Sequence, residues 1–424
     1  MKFEPVITSF LDTDLYKLTM QAAIHRNHPG VSCKFLLTNR TPDKKLNREG
    51  YEWLCLQIAS LGELKFTEEE IEYLKGKLGY LGSDHFQWLR TVKLRPDKEV
   101  TIVPEVTDGM YDLTITAYGD WETVTLYEIP ILSLLSEAYF RYVDTKWTIN
   151  GELVAEYVNG IAKTENLNIV YAQAAHKTKS LSESNCKFSE FGTRRRRSFQ
   201  VQDAVMRGIV SVPNSTCVGT SNVLFAMRYD LEPVGTIGHE WMMGIGAITG
   251  DYTHANKKAM EEYVNTVGHQ HAGLALTDTY GTPNYLKQFD EPYVGWYVGV
   301  RQDSGNPEEY ASTIADWYRE KGYNDKVICF SDSLNVEKCK HLKKVCNEIG
   351  IGCIFGIGTN LTNDFDTKPL NIVMKLVECG EGHAIKISDN IAKNMGDERT
   401  VFRVKKELGY IEKEWDEGDE SNRW

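Results

Sequence analysis

The chain has 424 residues, 42% of them hydrophobic and 25% charged, enough to bury a substantial core in one large domain and a smaller one. Its formal net charge of -12 disfavours nucleic acid and anionic membranes as general partners, so any anionic small substrate needs a local basic pocket. No apolar run approaches the roughly 20 residues of a membrane span, the opening MKFEPVITSF lacks a signal-peptide pattern, and nine cysteines without a C-x-x-C pair argue against a disulfide framework; a reduced cytoplasmic protein is expected.

Residues 1–130 read as an α+β domain. Within it, NREGYEWLCLQIASLG and FTEEEIEYLKGKLGYL have helical spacing, and Thr67 with Glu70 forms a capping box at the start of the second. MYDLTITAYGD and WETVTLYEIP alternate like the two strands of a hairpin turned at Gly119 and Asp120. A long helix, roughly Ile129 to Val143, leads into a different rhythm. From Phe188 onward, short apolar runs end repeatedly in small or polar residues: FSEFGTRR, CVGTSN, VGTIGHE, LALTDTYG, YVGVRQDSG, VICFSDSLN and CIFGIGTN. Their intervals suit strand–helix units, with helices such as PEEYASTIADWYREKG and NVEKCKHLKKVCNEIG, the latter stopping on Gly350. This repetition predicts an α/β fold with a closed parallel β/α barrel over residues 131–375, the chemistry sitting at the strand C-terminal ends. NIVMKLVECGEGHAIKISD reads as two strands around a glycine turn. Residues 376–424 are expected to pack back on the N-terminal part and to end in a mobile acidic tail, EWDEGDESNRW.

Several stretches can carry chemistry. In FGIGTN, Gly356 and Gly358 can bring backbone N–H groups close to a phosphate, and the late strands of a barrel are a recurrent phosphate site. In VRQDSG, Arg301 and Asp303 stand two apart and share one strand face; they suit either an anionic substrate with a sugar hydroxyl or Mg2+, or an internal salt bridge. Asp278 and Asp332 follow apolar runs, where helix capping is the default and metal or hydroxyl contacts are the alternative. The run Arg194 to Arg197 suits a nuclear-targeting patch, a solvated helix face or an anion site, and its place after an apolar strand favours the last. His239, in VGTIGHEWMMG, begins half a zinc-protease motif, but the fourth residue beyond it is Met243 instead of a second histidine, so that motif fails. A satisfied core histidine, or a nucleophile or general base at the barrel mouth, remains.

In order, LDTDLYKLTM, FSEFGTRRRRS, GTSNVLFA, GTIGHEWMMG, ALTDTYGT, VGVRQDSG, FSDSLNVEK, FGIGTNLTNDF, PLNIVMKLVE and KISDNIAKNMGD resemble nicotinate phosphoribosyltransferase across nearly the whole chain. The ending ELGYIEKEW is similar to the fungal and bacterial branch. The resemblance implies an irregular, type II phosphoribosyltransferase-like β/α barrel beside an N-terminal α+β domain. It implies the joining of nicotinate to 5-phosphoribosyl 1-diphosphate, the first step of NAD synthesis from nicotinate, with Mg2+ as cofactor and ATP as co-substrate acting through a phosphohistidine at His239. On the same ground Gly356, Gly358 and Thr359 would cradle the 5-phosphate, and Arg301, Asp303 and Ser304 would lie near ribose or nicotinate. Tyr16 and Thr236 would seat the nicotinate ring and carboxylate, Arg194 and Arg195 would face the diphosphate or carboxylate, and Asp332 would be a metal ligand. Arg196 and Arg197 keep the solvated-face reading. Glu240 either orients the imidazole or is a first-turn acid, and Asn306 stands where an aspartate is expected after DSG. A homo-oligomer and a nuclear fraction are left open. The rivals are a related enzyme using nicotinamide or quinolinate, and a non-catalytic barrel that binds a phosphorylated metabolite.

Overall fold

Residues 3–235, 237–389 and 393–410 are described by the computed structural model. Buried residues alternate along β1 (Ser32–Asn39), as they do in a strand with one face on the core. β2 (Val100–Thr107) and β3 (Met110–Asp120) form a hairpin that pairs Thr107 with Met110. Its turn is Asp108 and Gly109, at φ of 52° and 76°, a dipeptide suited to the left-handed region. The hairpin expected around Gly119 and Asp120 is not formed: Trp121–Val124 and Thr125–Tyr127 wind helically. The reason lies in a second period within WETVTLYEIP. Trp121, Val124 and Thr125 stand at i, i+3 and i+4, and all three are buried, so the helical arrangement puts more of the segment into the core. The expected long helix follows as Glu128–Tyr142, and the capping box on Thr67 and Glu70 opens the helix Glu68–Leu78.

β4 (Lys146–Ile149), β5 (Glu152–Val158) and β6 (Ile161–Glu165) make a small antiparallel sheet that the periodicity did not reveal. The expected parallel units then appear. β7 (Phe188–Glu190), β8 (Cys217–Thr220), β9 (Leu274–Leu276), β10 (Gly299–Gln302), β11 (Val327–Phe330) and β12 (Gly352–Ile357) pair in the order β8-β7-β12-β11-β10-β9. Every described pairing in this sheet is parallel. All four residues of β10 are buried, as a strand covered on both faces requires. The helices Pro307–Glu320 and Val336–Ile349 occupy the predicted intervals, and Gly350 ends the second at φ 76°.

The barrel is irregular where VGTIGHE was expected to be a strand. Among the described residues Pro233, just before that segment, makes an isolated parallel bridge to Thr220, and no regular strand runs there. His239 is instead the first residue of the helix His239–Thr249. β13 (Ile372–Cys379) and β14 (Gly382–His383) turn around Gly380, and β13 lies antiparallel to β1, giving the order β14-β13-β1-β3-β2. β13 thus runs across residue 375, where a domain boundary was expected. The acidic tail EWDEGDESNRW lies outside the described residues.

Candidate active site

A cleft of about 290 Å³ opens between the parallel sheet and the β1–β13 wall. Arg194 and Arg195 reach it from beyond β7, Arg301 from within β10 and Asp303 from just after it, Ser331 and Asp332 from beyond β11, and Gly358 and Thr359 from beyond β12. Phe35, Arg40 and Lys375 come from the opposite wall, Tyr16 from the helix Leu15–Asn27 and His239 from the start of its own helix. Seven arginine and lysine side chains line the cleft against four carboxylates, a local excess of positive charge on an acidic chain. Thr236 lies outside the described residues.

The imidazole of His239 is held at both ends. Nδ1 lies 2.9 Å from the hydroxyl of Thr279, which is fully buried. Nε2 lies 3.0 Å from Asp303 Oδ2, 3.5 Å from Asp278 Oδ1 and 2.9 Å from Lys386 Nζ. The same ammonium is 3.1 Å from Asp278 Oδ2. Burial and then Lys386 lower the pKa of His239, against the pull of Asp278 and Asp303. The ring is therefore neutral near pH 7 and carries a lone pair. Nε2 meets both a donor and an acceptor, so it can receive a proton from Lys386 or share one with Asp303.

Burial opposes the charge on Asp303, yet Arg301, His239 and Lys393 hold its carboxyl well below the usual range. Burial likewise opposes the charge on Asp278, which Lys386 and His239 bring down to about 2. Arg301 makes the internal salt bridge, with Nη2 3.1 Å from Asp303 Oδ1, and still faces the cleft. Its Nε donates to Ser331 Oγ at 2.8 Å, so the guanidinium is held in one orientation. The internal salt bridge expected as one reading of VRQDSG is formed, and both side chains line the cleft.

The aspartates are not helix caps. Asp278 is buried against Lys386, and Asp332 pairs with Lys393 at 2.9 Å, while Asn335 caps the helix Val336–Ile349. Asn306 caps the helix Pro307–Glu320 through the N–H of Glu308 at 2.9 Å, a task that asparagine performs as well as aspartate. Ser304 is buried beneath the cleft, where its hydroxyl donates to Asp278 Oδ2 and accepts from Ser388 Oγ at 2.9 Å. Gly356 does not line the cleft. A Cβ there would stand 2.4 Å from the ring of Phe191, so the glycine lets that ring lie on β12, and Phe191 itself forms part of the lining.

The arginine run divides. Arg194 reaches Glu128 at 3.7 Å and Asp14 at 3.9 Å. Burial, then Arg194 and Arg40, lower the guanidinium of Arg195 to about 10. Arg196 and Arg197 overturn the solvated-face reading, since both are 0% exposed. Arg196 forks onto Asp12 with two bonds of 2.8 Å. Arg197 lies between the rings of Phe140 and Phe365, 3.6 Å and 4.1 Å from their centroids, and donates to the Thr367 carbonyl at 2.7 Å. A flat, weakly hydrated guanidinium tolerates this setting where an ammonium would not.

Glu240 is engaged away from the imidazole. It accepts from Trp121 Nε1 and Thr125 Oγ1, each at 2.7 Å, and pairs with the buried Lys17, which also meets Glu128. The network fixes the first turn of the His239 helix to the helix that carries Tyr16. The ring of Tyr16 packs on Gly238, where a Cβ would come within 3.0 Å, and burial pushes its hydroxyl pKa up. Sequence reasoning singled out none of Lys17, Arg40, Thr279, Lys375, Lys386 and Lys393. Lys386 did carry a signal, a lysine between two isoleucines, because a charge inside an apolar run needs a partner.

Residues 186–412 match the nicotinate phosphoribosyltransferase (NAPRTase) family, and residues 11–136 match its N-terminal domain. A nicotinate phosphoribosyltransferase of Saccharomyces cerevisiae is 47% identical over 99% of both chains. One from Methanosarcina mazei is 38% identical over 94% of this chain and 97% of its own. The solved structure of a putative nicotinate phosphoribosyltransferase from Saccharomyces cerevisiae superposes with a TM-score of 0.90 at 46% identity, covering 97% of this chain and 100% of that one. That of the Porphyromonas gingivalis enzyme gives 0.85 at 33% identity, over 95% and 100%. With the match spanning both sheets and the cleft between them, the chain belongs to the nicotinate phosphoribosyltransferase family of transferases.

Proposed function

We propose that the cleft joins nicotinate to 5-phosphoribosyl 1-diphosphate, releasing diphosphate and nicotinate mononucleotide, and that ATP drives the reaction by phosphorylating His239. The observation that carries the coupling is the neutral imidazole at the cleft, with Lys386 2.9 Å from its Nε2 and Thr279 at its Nδ1. With the Nδ1 proton donated to Thr279, the Nε2 lone pair attacks the γ-phosphorus of ATP. The N–P bond forms as the bond to the bridging oxygen breaks, and ADP leaves with that electron pair. Lys386 then pairs with the new phosphoryl oxygens, and water later returns histidine and phosphate.

At the sugar, diphosphate leaves from C1 through an oxocarbenium-like state, so departing negative charge must be balanced while the weakly nucleophilic pyridine nitrogen is held in line. Arg194 and Arg195 supply cations toward the diphosphate or the nicotinate carboxylate. Arg301 and Asp303 are assigned to the ribose or the nicotinate and Tyr16 to the nicotinate ring, an assignment supported by their all lining the cleft. Gly358 and Thr359 take the 5-phosphate; Gly356 supports that turn from behind through Phe191. Thr236 is assigned to the nicotinate by resemblance alone.

The cluster of His239, Asp278 and Asp303 has ligand atoms within 4.8 Å of one another, but Lys386 already places its ammonium there, so it does not suit a resident divalent ion. Asp332 is paired through Oδ2 with Lys393 at 2.9 Å but faces the cleft with a side chain 28% exposed, and its Oδ1 would be offered to a hydrated Mg2+ accompanying the diphosphate. When bound, Mg2+ neutralises charge on that leaving group. Burial of Arg196 and Arg197 leaves only half of the arginine run available as a targeting patch, which weighs against the nuclear fraction left open. Among the described residues no helix is long and apolar enough to cross a membrane.

The experiment is an assay with nicotinate, phosphoribosyl diphosphate, Mg2+ and γ-labelled ATP on the wild type and on His239→Ala. The wild type should form the mononucleotide and take up an acid-labile phosphoryl label. His239→Ala should keep its far-UV circular dichroism but lose both the label and the stimulation by ATP. Full ATP coupling in that variant removes His239 from the mechanism.

A further inference from the structure

We propose that Asp389 is a positioning residue for His239: its carboxylate anchors the stretch 386–389 along the loop 277–282, so that Lys386 and Thr279 are held at the two ring nitrogens. Four successive residues are tied down there. Lys386 Nζ lies 2.9 Å from His239 Nε2. The N–H of Ile387 donates to the carbonyl of Thr279 at 2.8 Å, and it is the hydroxyl of Thr279 that meets Nδ1. Ser388 Oγ donates to Ser304 Oγ at 2.9 Å. Asp389 accepts from the N–H of Thr282 at 2.7 Å and from its hydroxyl at 2.5 Å. On the other side, the backbone of Lys386 exchanges two bonds of 3.0 Å with Met395.

Asp389 stands outside the cleft lining and acts through these neighbours. A carboxylate only accepts hydrogen bonds, and this fixes the direction of a chain. Thr282 donates its hydroxyl proton to Asp389 and therefore accepts from Thr277, 2.8 Å away, which in turn accepts from the Tyr310 hydroxyl at 2.9 Å. An amide at position 389 could donate to Thr282 and reverse the chain. Holding the charge there destabilises the fold. Burial and then Asp278 push the pKa of Asp389 up to about 6, so the ionised form present above that pH disfavours folding, a cost that fades as the group is protonated. A group that destabilises the fold yet ties down both partners of the histidine serves the site. The inference deepens the phosphohistidine reading and rests on it for what the imidazole does.

The test compares the wild type, Asp389→Asn and Thr282→Val by uptake of label from γ-labelled ATP, by urea unfolding at about pH 7.5, where Asp389 is ionised, and by NMR titration of the isotopically labelled His239 ring. Asp389→Asn should take up label roughly tenfold more slowly. Its urea midpoint should stay at or above that of the wild type, because the disfavoured charge is gone. With Lys386 held less firmly, the ring loses part of the ammonium that lowers its pKa, so the His239 pKa should rise by about half a unit. Thr282→Val keeps the N–H bond and removes the hydroxyl, so it should slow uptake by about threefold, and it decides the question by the same readings if Asp389→Asn does not fold. Wild-type uptake and an unmoved His239 pKa in a folded variant overturn the proposal. If the wild type takes up no label while the variant still shifts the His239 pKa, the phosphohistidine reading falls and the positioning role stands.

Discussion

Lys386, with Nζ 2.9 Å from His239 Nε2 and 3.1 Å from Asp278 Oδ2, ties the protonation of the histidine to a buried charge. Because burial and Lys386 lower the histidine pKa, the neutral, nucleophilic form persists below pH 6.5 and is lost only as pH falls through the lowered value. In Lys386→Met, Asp278 and Asp303 act on the ring without the opposing ammonium, so its pKa rises. The acid limb of single-turnover phosphorylation should move up by about one pH unit, and an unmoved limb would show that Lys386 does not control the ring. Arg196 illustrates the cost of leaving one partner of a buried pair alone. Arg196→Ala strands the Asp12 carboxylate and should cost about 3–5 kcal/mol in urea unfolding. A loss under about 1 kcal/mol would mean that Asp12 finds other partners. The sequence places four arginines in a row but does not distinguish them, since exposure is decided by which aromatic and acidic groups arrive from distant segments.

The helix His239–Thr249 stands in place of an expected strand ending at its histidine, and its packing explains how the imidazole is aimed. A Cβ at Gly244 would lie 2.3 Å from Trp121 Cη2, and Trp121 in turn donates to Glu240 beside His239. Gly244→Ala must push the helix off the indole. It should lower stability by about 1–3 kcal/mol and reduce the rate of His239 phosphorylation, read by chemical unfolding and by label uptake. Wild-type values in both would show that the helix has room. The parallel strands were legible because short, doubly buried apolar runs between amphipathic helices have few other arrangements. The segment WETVTLYEIP was not, because it satisfies two periods at once and only the core around Trp121 selects the helical one.

Across the whole molecule, a cleft with seven cations and four carboxylates sits in a chain of net charge -12, so its field is local and opposed by its surroundings. Raising ionic strength from roughly 0.05 to 0.5 M should lower kcat/KM for phosphoribosyl diphosphate several-fold, because screening shortens the reach of the cleft more than it alters bonded contacts. A flat profile would mean that short-range contacts alone capture the substrate. Fold class, most of the strand–helix repeat, the limits of the helices read from spacing and the pairing of Arg301 with Asp303 follow from residue order, because local periodicity and turn chemistry act over a few neighbours, whereas the role of His239 comes from the family resemblance. The β1–β13 wall, the lysines at positions 375, 386 and 393, the partners of most cleft carboxylates and the burial of Arg196 and Arg197 depend on segments from tens to hundreds of residues apart meeting in space. Pairings across such distances leave no period in the sequence, and whether a charge is stranded or satisfied depends on them.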